Sequence, residues 1–350
     1  MSTGKDFSSD NASGAAPEVL AALGRANGAT AAAYGDDPCT AQLTERLSDL
    51  FEHELAVFPM FTGTAANALA LSCLAPPFGA IFCHESAHIY TSECGAPEFY
   101  TGGAKLIGLP GAAARIDPAA LSAGLAELGK GVTHHFQPAA LSLTQATECG
   151  TLYSIEAIRR LTDIAHRADL KVHMDGARFA NALAASGQTP AEASWKAGVD
   201  VLSLGLTKNG ALAAEAVIFF DPTLAEDARF RQKRAGQVAS KMRFVSAQLL
   251  AMVQDGQWLE LAAHANQMGR RLGEGAAKLG IALAFPVDIN EAFLELDRTV
   301  ADRLRAQGFL FHPWTAEPKE GSCRYRFVTS FATEPDDVDG LVSTLARALG

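Results

Sequence analysis

What most constrains this chain is a regular exchange of short apolar runs with longer helical stretches. Strand-like runs fall at residues 55–59, 80–83, 106–109, 139–143, 171–174, 199–204 and 216–220, with helical stretches at 64–74, 118–128, 154–168 and 190–197 between them. Consecutive parallel strands need a helical crossover, so this order predicts an α/β layer with a mainly parallel sheet. Two helix starts can be read directly. Ser154 is one, and Asp117-Pro118 is the other, an N-cap followed by proline at the first helical position.

After about Lys241 the texture changes. A helical stretch at 244–279 gives way to short strands near 292–296 and 324–329, then to a closing helix at 335–349. A chain of 350 residues also exceeds one typical domain. The expected organisation is a large domain at 1–240, which includes the N-terminal segment and carries a mainly parallel mixed sheet covered by helices, and a small α+β domain at 241–350.

Composition removes several function classes. The net charge is −10 and no Lys/Arg block is present, so a nucleic-acid backbone is not an expected partner. No apolar run approaches the ~20 residues needed to cross a bilayer, and the polar opening MSTGKDFSSDNASG lacks the apolar core of a signal peptide. The six cysteines form no C-x-x-C pair and no disulfide framework, which points to a reducing cytoplasm.

In open α/β sheets, ligands gather at the carboxyl ends of strands. Three segments sit there. Val57-Phe58-Pro59-Met60-Phe61-Thr62-Gly63-Thr64 leads into a helix, and Gly63 and Thr64 at its N-terminus suit a phosphate; alone, Thr64 reads as a helix cap. Asp175 ends a strand in Val172-His173-Met174-Asp175-Gly176-Ala177-Arg178 and can hold a protonated ring nitrogen; alone, it too reads as a cap. Lys208 follows the strand at 199–204 in Gly205-Leu206-Thr207-Lys208-Asn209-Gly210, and a desolvated lysine there becomes an imine-forming nucleophile. Most lysines are solvated surface charges, so it is the order of the three segments that carries the reading. That order is a phosphate loop, then a strand-end Asp, then a strand-end Lys, as pyridoxal phosphate requires.

At these residues the chain resembles the fold-type I pyridoxal-phosphate enzymes, and more closely the low-specificity L-threonine aldolases, with which phenylserine aldolases belong. The resemblance also runs through Asp6-Phe7-Ser8-Ser9-Asp10-Asn11, Tyr34-Gly35-Asp36-Asp37-Pro38, Ala87-His88-Ile89-Tyr90 and Arg326-Phe327-Val328-Thr329. It implies that Lys208 carries the cofactor as a Schiff base, that His88 stacks on its ring, and that Gly63 and Thr64 hold its phosphate, with help from Arg231, Lys233 or Arg234 of a neighbouring subunit. It implies further that Asp175 bonds the ring nitrogen and that Ser9, Arg178 and Arg326 orient the substrate carboxylate. The implied assembly is a homotetramer of dimers with sites at the dimer interface, where Tyr34 acts in the neighbour's site. The implied reaction is retro-aldol cleavage of an L-β-hydroxy-α-amino acid (L-threonine, L-allo-threonine or L-phenylserine) to glycine and an aldehyde.

Many relatives carry a second active-site histidine in a Glu-Asn-Thr-His segment; here the stretch is Leu143-Thr144-Gln145-Ala146-Thr147-Glu148. The catalytic base is therefore open among His88, an ordered water, and His134 or His135 if the fold brings one close. Two rival readings remain. An aminotransferase, racemase or lyase of the same fold would share the cofactor residues. A zinc hydrolase would use His84-Glu85-Ser86-Ala87-His88, an H-E-x-x-H pattern that needs a helix and here follows a strand directly. No metal is expected.

Overall fold

The computed structural model describes residues 5–28 and 30–350. The first four residues of the polar opening lie outside that range. The helices are α1 (Pro17–Ala26), α2 (Pro38–Phe51), α3 (Gly63–Leu74), α4 (His88–Thr91), α5 (Ala96–Thr101), α6 (Pro118–Leu128), α7 (Ile155–Arg167), α8 (Phe179–Ser186), α9 (Ala228–Arg234), α10 (Arg243–Gln254), α11 (Gln257–Lys278), α12 (Arg298–Ala306) and α13 (Pro335–Leu349). They cover two sheets. The larger contains β1 (Ala56–Met60), β2 (Gly79–His84), β3 (Lys105–Leu109), β4 (Gln137–Thr144), β5 (Lys171–Gly176), β6 (Val201–Gly205) and β7 (Glu215–Phe219), in the order β1-β7-β6-β5-β4-β2-β3.

From β3 to β6 neighbouring strands are parallel; β7 lies antiparallel to β6, and β1 antiparallel to β7. The expected mainly parallel mixed sheet is therefore present. Strands β2, β6 and β7 are buried along their whole length, which explains their continuous apolar sequence. Each fully buried Leu or Phe, such as Leu202 or Phe219, contributes about 1.5–3 kcal/mol.

Helix starts follow their caps. The side chains of Asp37, Asp117 and Ser154 accept the backbone N–H of Thr40, Ala119 and Ala157. Two helical expectations change. Residues 190–197 form turns and a short 3-10 segment, Trp195–Ala197, with Ser194 outside the helical region (φ −130°, ψ −106°). The stretch at 244–279 is two helices, split where Gly256 takes a left-handed conformation (φ 78°).

The smaller sheet joins β8 (Glu291–Asp297), β9 (His312–Pro313) and β10 (Ser322–Val328) in the antiparallel order β8-β10-β9. Its core includes Leu272, Leu294, Phe327 and Leu341. The N-terminus belongs to this core too: Phe7 packs there, donates its N–H to the Leu310 carbonyl and accepts from the Val328 N–H. The large-sheet core in turn takes in Val245, Leu249, Trp258 and Ala262, all beyond residue 241. Helix α11 thus contributes to both cores. No helix among the described residues is long and apolar enough to cross a membrane.

Candidate active site

A cavity of about 460 Å³ opens where β4, β5 and β6 end, and Trp314 and Arg326, beside and on the smaller sheet, also line it. Its wall brings together Ser9, Gly63, Thr64, His88, Asp175, Arg178, Lys208 and Arg326 from across the sequence.

Close backbone contact sets the approach of β5 and β6. A Cβ on Gly205 would lie 2.7 Å from the Ala177 Cα, and one on Gly176 would lie 2.8 Å from the Ser203 carbonyl oxygen. Beyond Gly205 the chain turns once through Thr207–Asn209, presents Lys208, and leaves through Gly210 (φ 115°). That turn is pinned on both sides. Thr207 Oγ1 accepts from the Ala214 N–H (3.1 Å), Asn209 Nδ2 donates to the Trp258 carbonyl (2.7 Å), and the Glu215 carboxylate accepts from the Leu206 N–H (3.0 Å).

Asp175 is buried on β5 and aimed by two donors, Asn67 Nδ2 (2.9 Å) and the Ala177 N–H (3.0 Å). Asn67 also donates to Glu93 Oε1 (2.9 Å), which pairs with His88 Nδ1 at 2.9 Å. The Glu93 hydrogen bond raises the His88 pKa above its ordinary value, against the effect of partial burial. At the head of α3 the cap is Thr62, not Thr64: Thr62 Oγ1 accepts from the Ala65 N–H (3.1 Å). Gly63 and Thr64 occupy the first turn, whose N–H groups have no intrahelical acceptor. A Cβ on Gly63 would meet nothing within 4 Å.

The two arginines expected to orient a carboxylate are not equivalent. Arg178 is held by Asp10 (Nε to Oδ2 2.8 Å, Nη2 to Oδ1 3.1 Å) and lies 3.4 Å from Glu291. Arg326 is looser: its closest carboxylate is Glu291 at 3.9 Å, and its buried Nε has no partner. Glu148, two residues beyond Ala146, accepts from the His88 N–H and from Thr144 Oγ1, both at 2.9 Å; burial pushes its carboxyl up to about 7.

Other expected residues lie elsewhere. Tyr34 is exposed, with Lys233 Nζ 4.8 Å from its ring centroid, and Arg231 reaches toward Asp227 at 3.9 Å; none of the three borders the cavity of its own chain. His134 and His135 lie in an exposed turn, where His135 Nδ1 meets the Leu128 carbonyl. The H-E-x-x-H pattern does not share a helix face: His84 ends β2, His88 begins α4, and both His84 nitrogens are engaged, by the Gly111 carbonyl and the Ser86 N–H. Sequence reasoning missed Asn67, Glu93, Glu215, Asp10, Glu291 and Trp314. Asn67 alone carried a signal, as a polar residue inside the apolar helix α3.

Comparison with known proteins fits this geometry. A family model described as beta-eliminating lyase matches residues 6–299. A low specificity L-threonine aldolase of Pseudomonas aeruginosa is 42% identical over 99% of this chain and 98% of its own length. A solved threonine aldolase of Leishmania major superposes with a TM-score of 0.93 at 28% identity, covering 99% of both chains. A serine palmitoyltransferase of Sphingomonas wittichii shares the fold alone, with a TM-score of 0.73 at 15% identity over 98% of this chain and 86% of that one.

Proposed function

This chain belongs to the beta-eliminating lyase family, and we propose that it is a pyridoxal-phosphate-dependent aldolase, cleaving L-β-hydroxy-α-amino acids to glycine and an aldehyde. The convergence of Lys208, Asp175 and the α3 N-terminus on one cavity supports the cofactor, and the observation that carries the cleavage is the near-full-length likeness to the L-threonine aldolases.

The residues fit the cofactor. Asp175 is a buried carboxylate with only neutral donors as hydrogen-bond partners, which suits a ring N–H⁺. The open first turn of α3 suits a phosphate, and the half-exposed His88 side chain borders the space a ring would fill. When bound, the cofactor supplies an aldehyde for amine condensation and a cationic ring that stabilises negative charge at the amino acid's Cα.

The chain's own residues do the rest. Lys208 would hold the aldehyde carbon, and Arg326 would orient the substrate carboxylate. Cleavage needs an acceptor for the β-hydroxyl proton, and the wall offers His88 and Glu148. Glu93 holds the Nδ1 of His88 and leaves its Nε2 as the ring's available nitrogen, while Glu148, with a carboxyl near 7, is the second group matched to general-base work at neutral pH. Trp314, on the cavity wall, limits water at the reacting bond.

The six cysteines are free, in keeping with a reducing cytoplasm. We place Tyr34, Arg231 and Lys233 in a neighbouring subunit's site within a homotetramer; their distance from their own cavity supports this.

The test is product analysis of the purified protein with L-threonine and L-phenylserine. Equimolar glycine and acetaldehyde or benzaldehyde are expected, without keto acid. Lys208→Ala should lose both the cofactor absorbance near the visible edge and the cleavage. Keto-acid formation, or wild-type cleavage by that variant, refutes the proposal.

A further inference from the structure

Among the described residues, Glu291 is the one buried carboxylate with both oxygens lacking a hydrogen-bond partner. It is buried at the start of β8. Arg178 stands 3.4 Å away on one side and Arg326 3.9 Å away on the other. A buried carboxylate without hydrogen bonds is costly, so the two cations beside it carry its compensation.

Arg178 already has Asp10, with two good hydrogen bonds. Arg326 does not. Its link to Glu291 is too long for a hydrogen bond, its Nε is free, and it borders the cavity, whereas Glu291 does not. The guanidinium is thus charge-balanced without having its donors consumed.

We infer that Glu291 is a positioning residue, a counter-charge that shares Arg326 until a substrate carboxylate arrives and then takes up a proton from solvent. The inference rests on the proposed amino-acid substrate. Two arginines and two carboxylates (Arg178, Arg326, Asp10, Glu291) sum to zero. A substrate carboxylate would leave one uncompensated negative charge in a cluster screened poorly by solvent. One O–H bond formed on Glu291 restores neutrality, and no other bond changes.

The neighbours make Glu291 the group to protonate. Burial raises its pKa, and Asp10 adds to that; Arg178, Arg326 and Lys208 oppose it. Asp10 is held ionised: burial acts against it, but Arg178, Lys208 and Asn290 outweigh that and lower its pKa. Cys149, the remaining titratable neighbour, is pushed up to about 12 and stays neutral.

The experiment compares holoenzyme with its Glu291→Gln variant. In wild type, KM for L-threonine should fall as pH falls, because protonating Glu291 frees Arg326. In Glu291→Gln, KM should be lower on the order of tenfold and insensitive to pH, with kcat little changed. Calorimetric titration with glycine in buffers of different ionisation enthalpy should show more proton uptake by wild type than by the variant. Glu291→Asp, which keeps the charge, should keep the pH dependence. Equal proton uptake in wild type and Glu291→Gln overturns the inference, as does a fall in kcat at unchanged KM. Wild type that binds glycine but cleaves no β-hydroxy amino acid overturns the proposed reaction instead, and leaves the proton-uptake comparison standing.

Discussion

Removing Arg178 should unfold this protein far more readily than removing its partner Asp10. Arg178 is 10% exposed, between Asp10 (1%) and Glu291 (0%). Arg178→Met leaves two buried carboxylates with only the more distant Arg326 and Lys208 cations, and stranding a buried charge costs about 3–5 kcal/mol. Asp10→Asn keeps a hydrogen-bond acceptor for Arg178 and leaves Glu291 facing it, so its cost should be about 1–2 kcal/mol. The pH dependence separates charge from lost packing. In wild type, Asp10 titrates below its ordinary value, so its contribution is present above about pH 4 and lost as pH falls further. In Arg178→Met both acids would titrate higher, so protonation would relieve the variant before it harms wild type. Urea unfolding followed by tryptophan fluorescence, at pH 7.5 and near pH 5, measures this. The gap between wild type and Arg178→Met should narrow on acidification. A variant within about 1 kcal/mol of wild type at pH 7.5, or a gap independent of pH, refutes the charge argument.

Two further outcomes follow from the same region. His173 is buried between the Ser142 and Ser203 hydroxyls, and burial pushes its pKa down to about 4. The unfolded chain binds that proton near pH 6.5, so stability should drop by roughly 3 kcal/mol as pH falls from about 6.5 to 4, and His173→Gln should flatten this slope in urea titrations. Gly205→Ala forces a Cβ against the Ala177 backbone at 2.7 Å, so β6 must shift from β5. A loss of about 1–3 kcal/mol is expected, with weaker cofactor binding read from absorbance.

What the sequence disclosed about the site was local. Asp175 and Lys208 each end an apolar strand, and Gly63 and Thr64 open a helix, so position alone marked them. The buried acids could not be found this way. Glu93, Glu215 and Glu291 look like ordinary surface glutamates until the fold covers them, and their partners are remote: Asn67 reaches Asp175 across 108 positions, and Arg178 reaches Asp10 across 168. The same holds for the helices. Gly256 splits 244–279 through a left-handed φ of 78°, and 190–197 leaves the helix at Ser194; apolar spacing encodes neither.

The site's charge pattern argues for how its ligands must be arranged. Asp10, Glu93, Asp175, Glu215 and Glu291 are buried, and Glu148 borders the same cavity; the bases facing them are Arg178, Arg326, Lys208 and His88. The wall itself sets four acids (Glu93, Glu148, Asp175, Glu215) against four bases (His88, Arg178, Lys208, Arg326), and a phosphate is best suited by the α3 N-terminus, where backbone N–H groups rather than side chains offer positive charge. A cationic ring and an amino acid's ammonium fit the acids. Those acids divide by their company. Asp10 is paired with Arg178, which helps hold its carboxyl ionised, and Asp175 is aimed by the Asn67 amide and the Ala177 N–H. Glu148 and Glu215 lack an ion-pair partner among the described residues and sit near 7, where a proton can come and go. Fixed charge orients the ligands and labile charge answers their arrival, so Glu148 and Glu215 join Glu291, whose carboxylate oxygens lack hydrogen bonds among the described residues, as the acids to expect in proton traffic.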